Sequence, residues 1–416
     1  MQPPPLKNDC FALPPGVDWT PVDEALVLLR DRLTPVTAAE EAPLAEAEGR
    51  VLAADVIAPR SNPPQPNAAV DGYGFAGPAP EGVREMPLAE GRAAAGAPFR
   101  GRVPEGHALR ILTGAALPEG VDTVILEEDV SREGDRIAFH GPLKRGANAR
   151  RAGEDVEAGD VILRAGRRLT PPDLALLAAT GCDRVALRAP LRVAVLSTGD
   201  ELVEPGEIAG EDEIYDANRP MLLALLRRFG CVAVDMGRVP DDRVALRATL
   251  DRAAGQADAI LTSGGASAGD EDHVSALLRE TGAMQQWRIA IKPGRPLALG
   301  LWNGAPVFGL PGNPVAALVC TLVFARPALG LLAGAGWAAP QGFDVPAAFA
   351  KSKKPGRREY LRARIREGRA EVFASEGSGR ISGLSWAEGL VELEDGARDI
   401  RPGDPVRFLP YASFGL

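Results

Sequence analysis

The chain has 416 residues, 45% of them hydrophobic, so it is long enough to form several domains with their own cores. Its formal net charge of −9 argues against a general nucleic-acid-binding protein, which would carry a basic surface. The four cysteines are widely spaced and form no CxxC pair, so they indicate neither a zinc site nor a disulfide framework.

The N-terminus and the apolar runs of the sequence predict a cytoplasmic protein. The first ten residues, MQPPPLKNDC, lack the apolar segment of a signal peptide. The longest apolar run, 315–325, is too short to span a bilayer and is closed by Arg326. Together with the scattered cysteines, these features favour a reducing cytoplasm and no membrane partner.

A helix and then a β-rich region are predicted in the first part of the chain. Thr20 as N-cap and Pro21 at the first helical position predict a helix through Arg32. Residues 51–58 indicate a strand, and the SNPPQPN segment after them suits neither helix nor sheet. Short strands between glycine and proline turns then predict an all-β region. Its strands include 109–112, 123–126 and 136–139.

Two turns of this β-rich region carry polar side chains. Asp71 precedes the tight turn Gly72-Tyr73-Gly74, and Thr113 follows the strand 109–112. In a purely structural role, Asp71 forms an Asx-turn and Thr113 caps a turn. In a functional role, the same carboxylate and hydroxyl are candidate catalytic groups.

From residue 191 onward, predicted strands and helices alternate. Strands joined by crossover helices predict a mostly parallel sheet covered by helices on both faces. Asn303-Gly304 is a hairpin turn, which adds one antiparallel pair at the sheet edge. The predicted strands are 192–196, 232–239, 259–262, 297–301 and 307–310. The predicted helices of this region are 220–229, 243–254, 273–280 and 315–332. One further helix, 171–180 with Thr170 as its N-cap, is predicted before residue 191.

Acidic residues follow three of these strands at their carboxyl ends, where ligands bind in such sheets. Glu201 follows the first strand, Asp241 and Asp242 follow the second, and Asp272 lies beyond the third. Carboxylates that converge on one edge predict a site for a hard cation such as Mg²⁺, which prefers oxygen ligands. Asp241 or Asp242 is also an ideal cap for the next helix, so one of the two can be structural.

A glycine loop and two proline turns lie at further strand ends. The loop Ser263-Gly264-Gly265, with Ser267 after it, allows backbone N–H groups to approach an anion, although such loops are also common as plain turns. Lys292-Pro293-Gly294-Arg295-Pro296 holds two cations in a stiff turn, and Pro311-Gly312-Asn313-Pro314 closes a second strand-to-helix junction. The combination indicates an anion site more specifically than any one of the three.

The chain is β-rich again from Trp337 onward. Between Lys351 and Arg369 it has nine Lys or Arg and two Glu. Such a balance is typical of a solvated strand pair, so we expect these side chains to face water.

Several of these motifs occur together in one known family. They are DGY at Asp71, TGAxxP at Thr113, NxRxxGED from Asn148, SGG followed by acids, KPGRP and PGNP. The combination resembles the molybdenum insertase (MoeA) family of molybdenum-cofactor biosynthesis, which includes the E domain of gephyrin, and it covers nearly the whole chain. The chain departs from the family pattern at Ala68, where Ser is frequent, and at Arg288, where Lys is frequent.

The resemblance implies a multidomain chain of α/β and β domains. Residues 1–58 and 146–190 would form a discontinuous N-terminal domain, with a β-rich insertion domain at 59–145. Residues 191–335 would form a three-layer α/β/α molybdopterin-binding domain with a mostly parallel sheet, and 336–416 a C-terminal β-barrel.

The resemblance also implies a reaction, in which molybdate is inserted into adenylylated molybdopterin and Mg²⁺-dependent hydrolysis releases AMP. Lys292, Arg295 and Arg288 would supply the cations that hold pyrophosphate and molybdate. The expected catalytic residues are Asp71, Thr113, Glu201, Asp241, Asp272 and Lys292, of which Glu201, Asp241 and Asp272 would bind Mg²⁺. The expected substrate-binding residues are Ser263, Gly264, Gly265, Ser267, Arg288, Arg295, Pro311, Gly312, Asn313 and Pro314.

As a partner, the resemblance implies a second copy of the chain. The active site would combine Asp71 and Thr113 of one subunit with the Ser263 and Lys292 loops of its mate. The resemblance leaves room for contacts with molybdopterin adenylyltransferase and with the chaperones of recipient molybdoenzymes, but not with nucleic acid.

Two other functions remain open at this point. A molybdopterin adenylyltransferase has a similar α/β domain and SGG loop, although it is normally a single short domain. A scaffold that clusters receptors, as gephyrin does, would be expected to carry a long disordered linker or a second enzymatic domain, and the sequence indicates neither.

Overall fold

The structure is a computed structural model, and it describes residues 19–264, 273–280, 285–287, 289–294, 297–377 and 379–416. The chain divides into two compact units. The first contains the described residues up to Glu40 and those from Arg188 onward, and the second is Glu41–Leu187. The finer division into four domains stays a prediction.

The described helices are short to medium in length. They are α1 Val22–Arg32, α2 Pro171–Ala179, α3 Asn218–Arg228, α4 Arg243–Gln256, α5 His273–Glu280, α6 Pro314–Cys320, α7 Arg326–Leu332 and α8 Ser382–Trp386. A π-helical turn, Thr321–Ala325, joins α6 to α7.

The described strands follow in chain order. Up to Arg188 they are β1 Ala39–Pro43, β2 Val56–Ile57, β3 Asn67–Ala68, β4 Gly72–Phe75, β5 Ala79–Ala93, β6 Ala108–Ile111, β7 Thr123–Leu126, β8 Val130–Glu133, β9 Arg136–Leu143, β10 Ala149–Arg150, β11 Val161–Leu163 and β12 Arg184–Arg188. Beyond it they are β13 Arg192–Thr198, β14 Leu202–Val203, β15 Ile214–Tyr215, β16 Val232–Val239, β17 Ala259–Ser263, β18 Gln285–Trp287, β19 Ile291–Lys292, β20 Leu297–Trp302, β21 Ala305–Leu310, β22 Phe343–Pro346, β23 Lys351–Lys353, β24 Arg358–Arg366, β25 Arg369–Val372, β26 Gly389–Leu393, β27 Arg398–Ile400 and β28 Pro405–Pro410.

The predicted α/β sheet is present in the first unit, with strand order β16-β13-β17-β21-β20-β18. The first four strands are parallel, as predicted. One antiparallel pair was predicted at the sheet edge, but the sheet has two, because β20 pairs antiparallel with both β21 and β18. Asn303 and Gly304 both have positive φ, which suits the tight turn between β20 and β21.

Helices cover both faces of this sheet because its central strands are apolar on both sides. Val193 and Val195 of β13 point to the core that contains α3 and α6. Ala194 and Leu196, between them, join the core formed with α4 and α5. Successive side chains of a strand point to opposite faces of the sheet, so a continuous apolar strand contributes to a core on each face. The sheet thus lies between two layers of helices.

The segment Pro314–Leu332 is one continuous helical stretch, which agrees with the predicted helix 315–332. Arg326 does not end it, since its guanidinium donates to the carbonyls of Ser413 and Phe414. By length and composition this helix could cross a membrane, but 83% of its apolar window is buried inside the protein. It serves as the core helix of the first unit.

A second sheet of the first unit has the strand order β19-β24-β26-β28-β22. Strand β19 pairs parallel with β24, which places Lys292 opposite Glu359. The prediction that the basic stretch 351–369 is solvated was wrong at Lys353, Glu359 and Arg362, which are all buried. Their polar atoms have partners in spite of the burial, because Lys353 and Arg362 donate to backbone carbonyls and Glu359 forms ion pairs with Lys292 and Lys351.

The second unit contains an open sheet with strand order β7-β4-β6-β5-β9-β8. Strand β4, which follows Asp71, pairs antiparallel with both β6 and β7. The predicted strand 51–58 is reduced to β2, because residues 51 and 52 form only isolated bridges. Helix α2 begins as predicted, with Asp173 accepting hydrogen bonds from the N–H and hydroxyl of Thr170.

The start of α1 differs from the prediction by one residue. Pro21, not Thr20, occupies the N-cap position. The carbonyl of Thr20 instead accepts a hydrogen bond from Ala290, which gives Thr20 an extended conformation. Long-range pairing therefore overrides the local capping preference of threonine.

Candidate functional site

The carboxyl ends of β13, β17 and β21 meet at one edge of the parallel sheet, as predicted for a ligand site. Ser263 ends β17, and the next N–H, of Gly264, donates to the carbonyl of Leu310 at 3.2 Å. Gly264 has a φ of +89°, and a Cβ atom there would lie 2.5 Å from the carbonyl oxygen of Thr198. Only glycine fits this position, which explains the first glycine of the SGG motif.

The PGNP turn lies against the same loop. A Cβ atom on Gly312 would lie 3.6 Å from the Cα of Gly264. Asn313 caps α6, because its side-chain oxygen accepts from the N–H of Val315 at 3.2 Å, and Pro314 occupies the first helical turn. Two motifs far apart in sequence thus bring their backbones together, with Pro311 between β21 and this turn.

Asn218, at the start of α3, holds these two loops together, although no sequence motif singles it out. Its Nδ2 donates to the hydroxyl of Ser263 and to the carbonyl of Gly312, each at 2.7 Å. A carbonyl can only accept, so the amide nitrogen must face both groups and the hydroxyl of Ser263 accepts. The hydroxyl hydrogen of Ser263 is therefore left to donate to another group.

Arg219 fixes the position of Asn218. Its guanidinium lies in the core and bonds to Asp216 at 3.2 Å and to Asp235 at 2.6 Å. Burial on its own lowers the pKa of Arg219, but the hydrogen bonds and charge of Asp235 outweigh it and raise the net pKa. The first turn of α3 is thus anchored by a buried guanidinium and the carboxylates that surround it.

Several polar atoms at this edge have no hydrogen-bond partner among the described residues. They are the Oδ1 of Asn218 and the hydroxyls of Ser197, Thr198 and Thr262, all buried. Unsatisfied buried polar groups are costly, so a cluster of them at strand ends is typical of a place where a ligand or water supplies the missing partners.

The predicted acidic positions divide into a pair and a cap. The N–H of Asp241 donates to Asp200 at 3.0 Å, and the N–H of Asp200 donates back to Asp241 at 3.4 Å. Asp242 is the N-cap of α4 and accepts from Ala245 at 2.7 Å, which leaves Asp241 as the functional candidate. The carboxylate of Glu201 lies close to Gly199. A Cβ atom on Gly199 would be 2.6 Å from the Oε2 of Glu201.

No group of three or more His, Cys, Asp or Glu that could hold a metal ion occurs within the part of the chain that the structure describes. Asp272, the third predicted ligand, lies outside that part, as do Gly265, Ser267, Arg288 and Arg295. Asp200, Glu201 and Asp241 offer the hard carboxylate oxygens that Mg²⁺ prefers, at neighbouring strand ends, but these three side chains alone do not form such a group.

Lys292 is not a freely solvated lysine. Its Nζ lies 2.7 Å from Glu376 and 3.5 Å from Glu359. Lys351 binds the same two carboxylates, with Glu359 at 3.1 Å and Glu376 still closer. The four side chains form one cluster, which the sequence did not predict because its members come from separate strands and a loop.

A cavity of about 200 Å³ lies beside this cluster, and it is lined by Lys292, Lys351, Arg362, Ser375 and Glu376 among others. Arg362 is only 4% exposed, yet its hydrogen bonds go to the carbonyls of Arg380, Ser375 and Gly377 and to no carboxylate among the described residues. Burial lowers the pKa of this guanidinium. Its guanidinium also lies over the ring of Phe373, so carbonyl oxygens and a ring face meet the charge, and an anion in the cavity would find a cation that no described carboxylate pairs with.

The β-rich second unit brings together Asp71 and Thr113. Both the N–H and the hydroxyl of Thr113 donate to Asp71 Oδ1, at 2.7 and 2.6 Å. These two hydrogen bonds lower the pKa of Asp71, chiefly through the hydroxyl, so the carboxylate is held ionised. Both residues are exposed, and the contact therefore presents a fixed negative charge at the surface.

The DGY motif is required sterically. A Cβ atom at Gly72 would lie 1.8 Å from the carbonyl oxygen of Ile125 on the neighbouring strand. Arg110 donates to the carbonyl of Gly72 at 3.0 Å and lies over the ring of Tyr73. Ala68, where the family frequently has Ser, is buried, and its backbone bonds to Gly114 and Ala115. The backbone thus positions Asp71 without a hydroxyl at residue 68.

Comparison with family models divides the chain into three matches. Residues 20–181 match the MoeA N-terminal region (domain I and II), 194–330 match the probable molybdopterin binding domain, and 344–411 match the MoeA C-terminal region (domain IV). The matches together span most of the described chain, including both candidate sites.

Individual relatives match over nearly their full length. A molybdopterin molybdenumtransferase of Haemophilus influenzae is 37% identical over 94% of this chain and 98% of its own, and molybdopterin molybdenumtransferase 2 of Mycobacterium tuberculosis is 35% identical over 88% and 93%. The crystal structure of the molybdopterin biosynthesis moeA protein of Pyrococcus horikoshii OT3 has a TM-score of 0.82 at 31% identity, covering 95% of this chain and 100% of that one. The predicted multidomain fold class is confirmed.

Proposed function

The chain belongs to the molybdopterin molybdenumtransferase (MoeA) family, and we propose that it is the transferase that inserts molybdate into adenylylated molybdopterin, with Mg²⁺-dependent release of AMP. Two anion-binding features of the first unit support this proposal. One is the backbone-rich edge at Ser263 and Gly312, and the other is the cavity beside Lys292.

The observation that carries the proposal is the buried guanidinium of Arg362 in a cavity that Lys292 and Lys351 also line. Molybdate is a tetrahedral dianion, and it requires fixed cations that are partly shielded from water. A cavity of about 200 Å³ has room for such an ion. We therefore assign molybdate to this cavity.

The nucleotide part of the substrate fits the other feature. Phosphate oxygens need N–H and O–H donors, and the loop after β17 offers the hydroxyl hydrogen of Ser263, while the lack of a side chain at Gly264 allows a ligand to approach the backbone. The Oδ1 of Asn218, which has no hydrogen-bond partner among the described residues, suits a donor on the ligand, such as a hydroxyl or ring N–H.

Mg²⁺ would be held by Glu201, Asp241 and Asp272, and when bound it would neutralise charge on the phosphates. Asp200 would position Asp241 through their mutual hydrogen bonds. In this structure Asp71 stays ionised, so we assign it an electrostatic or general-base role and no role as an acid.

The experiment that tests the proposal is incubation of the protein with adenylylated molybdopterin, molybdate and Mg²⁺, followed by assays for AMP and for active cofactor. We expect both products, and neither when molybdate or Mg²⁺ is left out. Consumption of ATP with formation of adenylylated molybdopterin would instead identify an adenylyltransferase. If neither reaction occurred, the remaining hypothesis would be a scaffold function.

A further inference from the structure

The side chain of Glu376 belongs to the lining of the cavity and contacts two of its cations. Its carboxylate bridges Lys292 and Lys351, with Oε2 2.7 Å from the Nζ of Lys292 and Oε1 against the Nζ of Lys351. These contacts lower the net pKa of Glu376 even though burial raises it, so the side chain is a carboxylate. An anionic oxygen thus already lies where an incoming oxyanion would meet both lysines.

The loop that carries Glu376 is fixed while its side chain is not buried. Arg362 donates to the carbonyls of Ser375 and Gly377, the residues on either side of Glu376. The Glu376 side chain itself is 46% exposed, whereas that of Glu359, the other carboxylate of the cluster, is 8% exposed. Glu376 can therefore turn into solvent without a change in the backbone, and Glu359 cannot.

The charge of the cavity favours exchange with a dianion. Lys292, Lys351 and Arg362 bring three positive charges. Glu359 and Glu376 bring two negative charges, which leaves the cluster at +1. If a dianion replaces the carboxylate of Glu376, the cluster becomes neutral. If a monoanion replaces it, the charge is unchanged and nothing is gained electrostatically.

We propose that Glu376 is a resident carboxylate that the oxyanion substrate displaces, so that a tetrahedral dianion gains electrostatic free energy from the exchange and a monoanion gains none. This inference rests on the proposed function, since it takes the cavity to be the molybdate site. Glu376 lowers the affinity for every oxyanion by the same factor, and a monoanion, which gains nothing from the exchange, is left with the weaker binding.

The test compares the full-length wild-type protein with Glu376→Gln, which keeps the shape of the side chain and removes its charge. The probes are molybdate and perrhenate, tetrahedral oxyanions of similar size with charges of −2 and −1, and binding is measured by isothermal titration calorimetry. Glu371→Gln is the matched control, because Glu371 is a similarly exposed carboxylate paired with Arg364 on the same sheet.

We expect Glu376→Gln to bind molybdate about tenfold more tightly than the wild type, and perrhenate more tightly by a similar factor because both anions displace the same carboxylate, while Glu371→Gln matches the wild type. Weaker molybdate binding in Glu376→Gln would mean that Glu376 only holds the lysines in place, and equal binding would mean that it does not compete. Either result overturns the inference about Glu376, but the assignment of molybdate to the cavity would stand. If neither protein binds molybdate, the site itself is wrong, and the inference falls with it.

Discussion

The side-chain amide of Asn218 lies 2.7 Å from the hydroxyl of Ser263, and it decides which way that hydroxyl can donate. Because the amide nitrogen is also required by the carbonyl of Gly312, Ser263 accepts from Asn218 and keeps its own hydrogen for a ligand. Asn218 is thus a positioning residue for the predicted phosphate loop.

The first prediction reverses this hydrogen bond. In Asn218→Asp the new carboxylate accepts from Ser263, so the hydroxyl no longer faces a phosphate with its hydrogen. We expect AMP affinity to fall by about 1–2 kcal/mol, roughly tenfold. Calorimetry on the single and double variants with Ser263→Ala provides the control. An effect of Asn218→Asp that is just as large without the hydroxyl would contradict a role through Ser263.

The second prediction concerns the pKa of Asp71. Thr113→Val removes the hydroxyl that contributes most to lowering this pKa, so the pKa should rise toward its ordinary value. A carboxyl group whose pKa is lower in the folded than in the unfolded protein stabilises the fold at pH values above the unfolded-state pKa. This stabilisation is lost as the pH falls through the folded-state pKa. The variant should therefore lose its Asp71 contribution at a higher pH than the wild type.

Carbon-13 NMR titration of the carboxyl groups measures this shift. Asp55 serves as an internal control, since its lowered pKa depends on Ala165 and Arg164 and not on Thr113. An unchanged Asp71 titration in Thr113→Val would show that the backbone N–H alone holds the charge.

The third prediction tests the glycine loop. Gly264→Ala combines a positive φ with a Cβ atom 2.5 Å from a carbonyl oxygen, so we expect a loss of about 1–3 kcal/mol in stability together with weaker AMP binding. Gly237→Ala is the matched control, because Gly237 also has a positive φ but no atom of the described residues lies within 4 Å of its Cβ position. Equal thermal unfolding curves for the two variants would rule out close approach as the reason for glycine at 264.

The fourth prediction concerns Lys292. In Lys292→Ala one of two lysines that meet the oxyanion is lost, which should weaken molybdate binding by about 1.5–3 kcal/mol, roughly 10- to 150-fold. Lys354→Ala removes an exposed lysine of the neighbouring segment and should leave binding unchanged. Molybdate affinity within error of the wild type in Lys292→Ala would reduce this lysine to a structural ion pair.

The fifth prediction concerns the composite active site implied by family resemblance. We propose that Asp71 and Thr113 of one subunit act with the Ser263 and Lys292 loops of its mate. Asp71→Ala and Asp272→Ala chains, each inactive alone, should then recover some activity when their subunits exchange, since a mixed dimer has one intact site. A mixture that stays inactive, with exchange confirmed by native mass spectrometry, would place each site within one chain.

The sequence by itself determined the fold class and the motif positions. Apolar runs and glycine stops gave the parallel strands, and the limits of α5 agree with the predicted 273–280. The DGY and SGG motifs mark glycine at 72 and 264 in the sequence, although the carbonyl oxygens that exclude a side chain there, of Ile125 and Thr198, belong to other strands. Strand and helix limits depend on a few neighbouring residues, and for that reason they can be read from the sequence.

Only the tertiary structure decided which side chains surround the candidate ligands. Lys292 and Glu359 are 67 residues apart and meet because β19 pairs with β24, a register that no local pattern specifies. The same pairing buries Arg362 in a stretch whose composition predicted a solvated surface. Asn218 reaches Ser263 only because α3 packs over the sheet. Burial and partner choice are set by how distant elements pack, and composition carries no information about that packing.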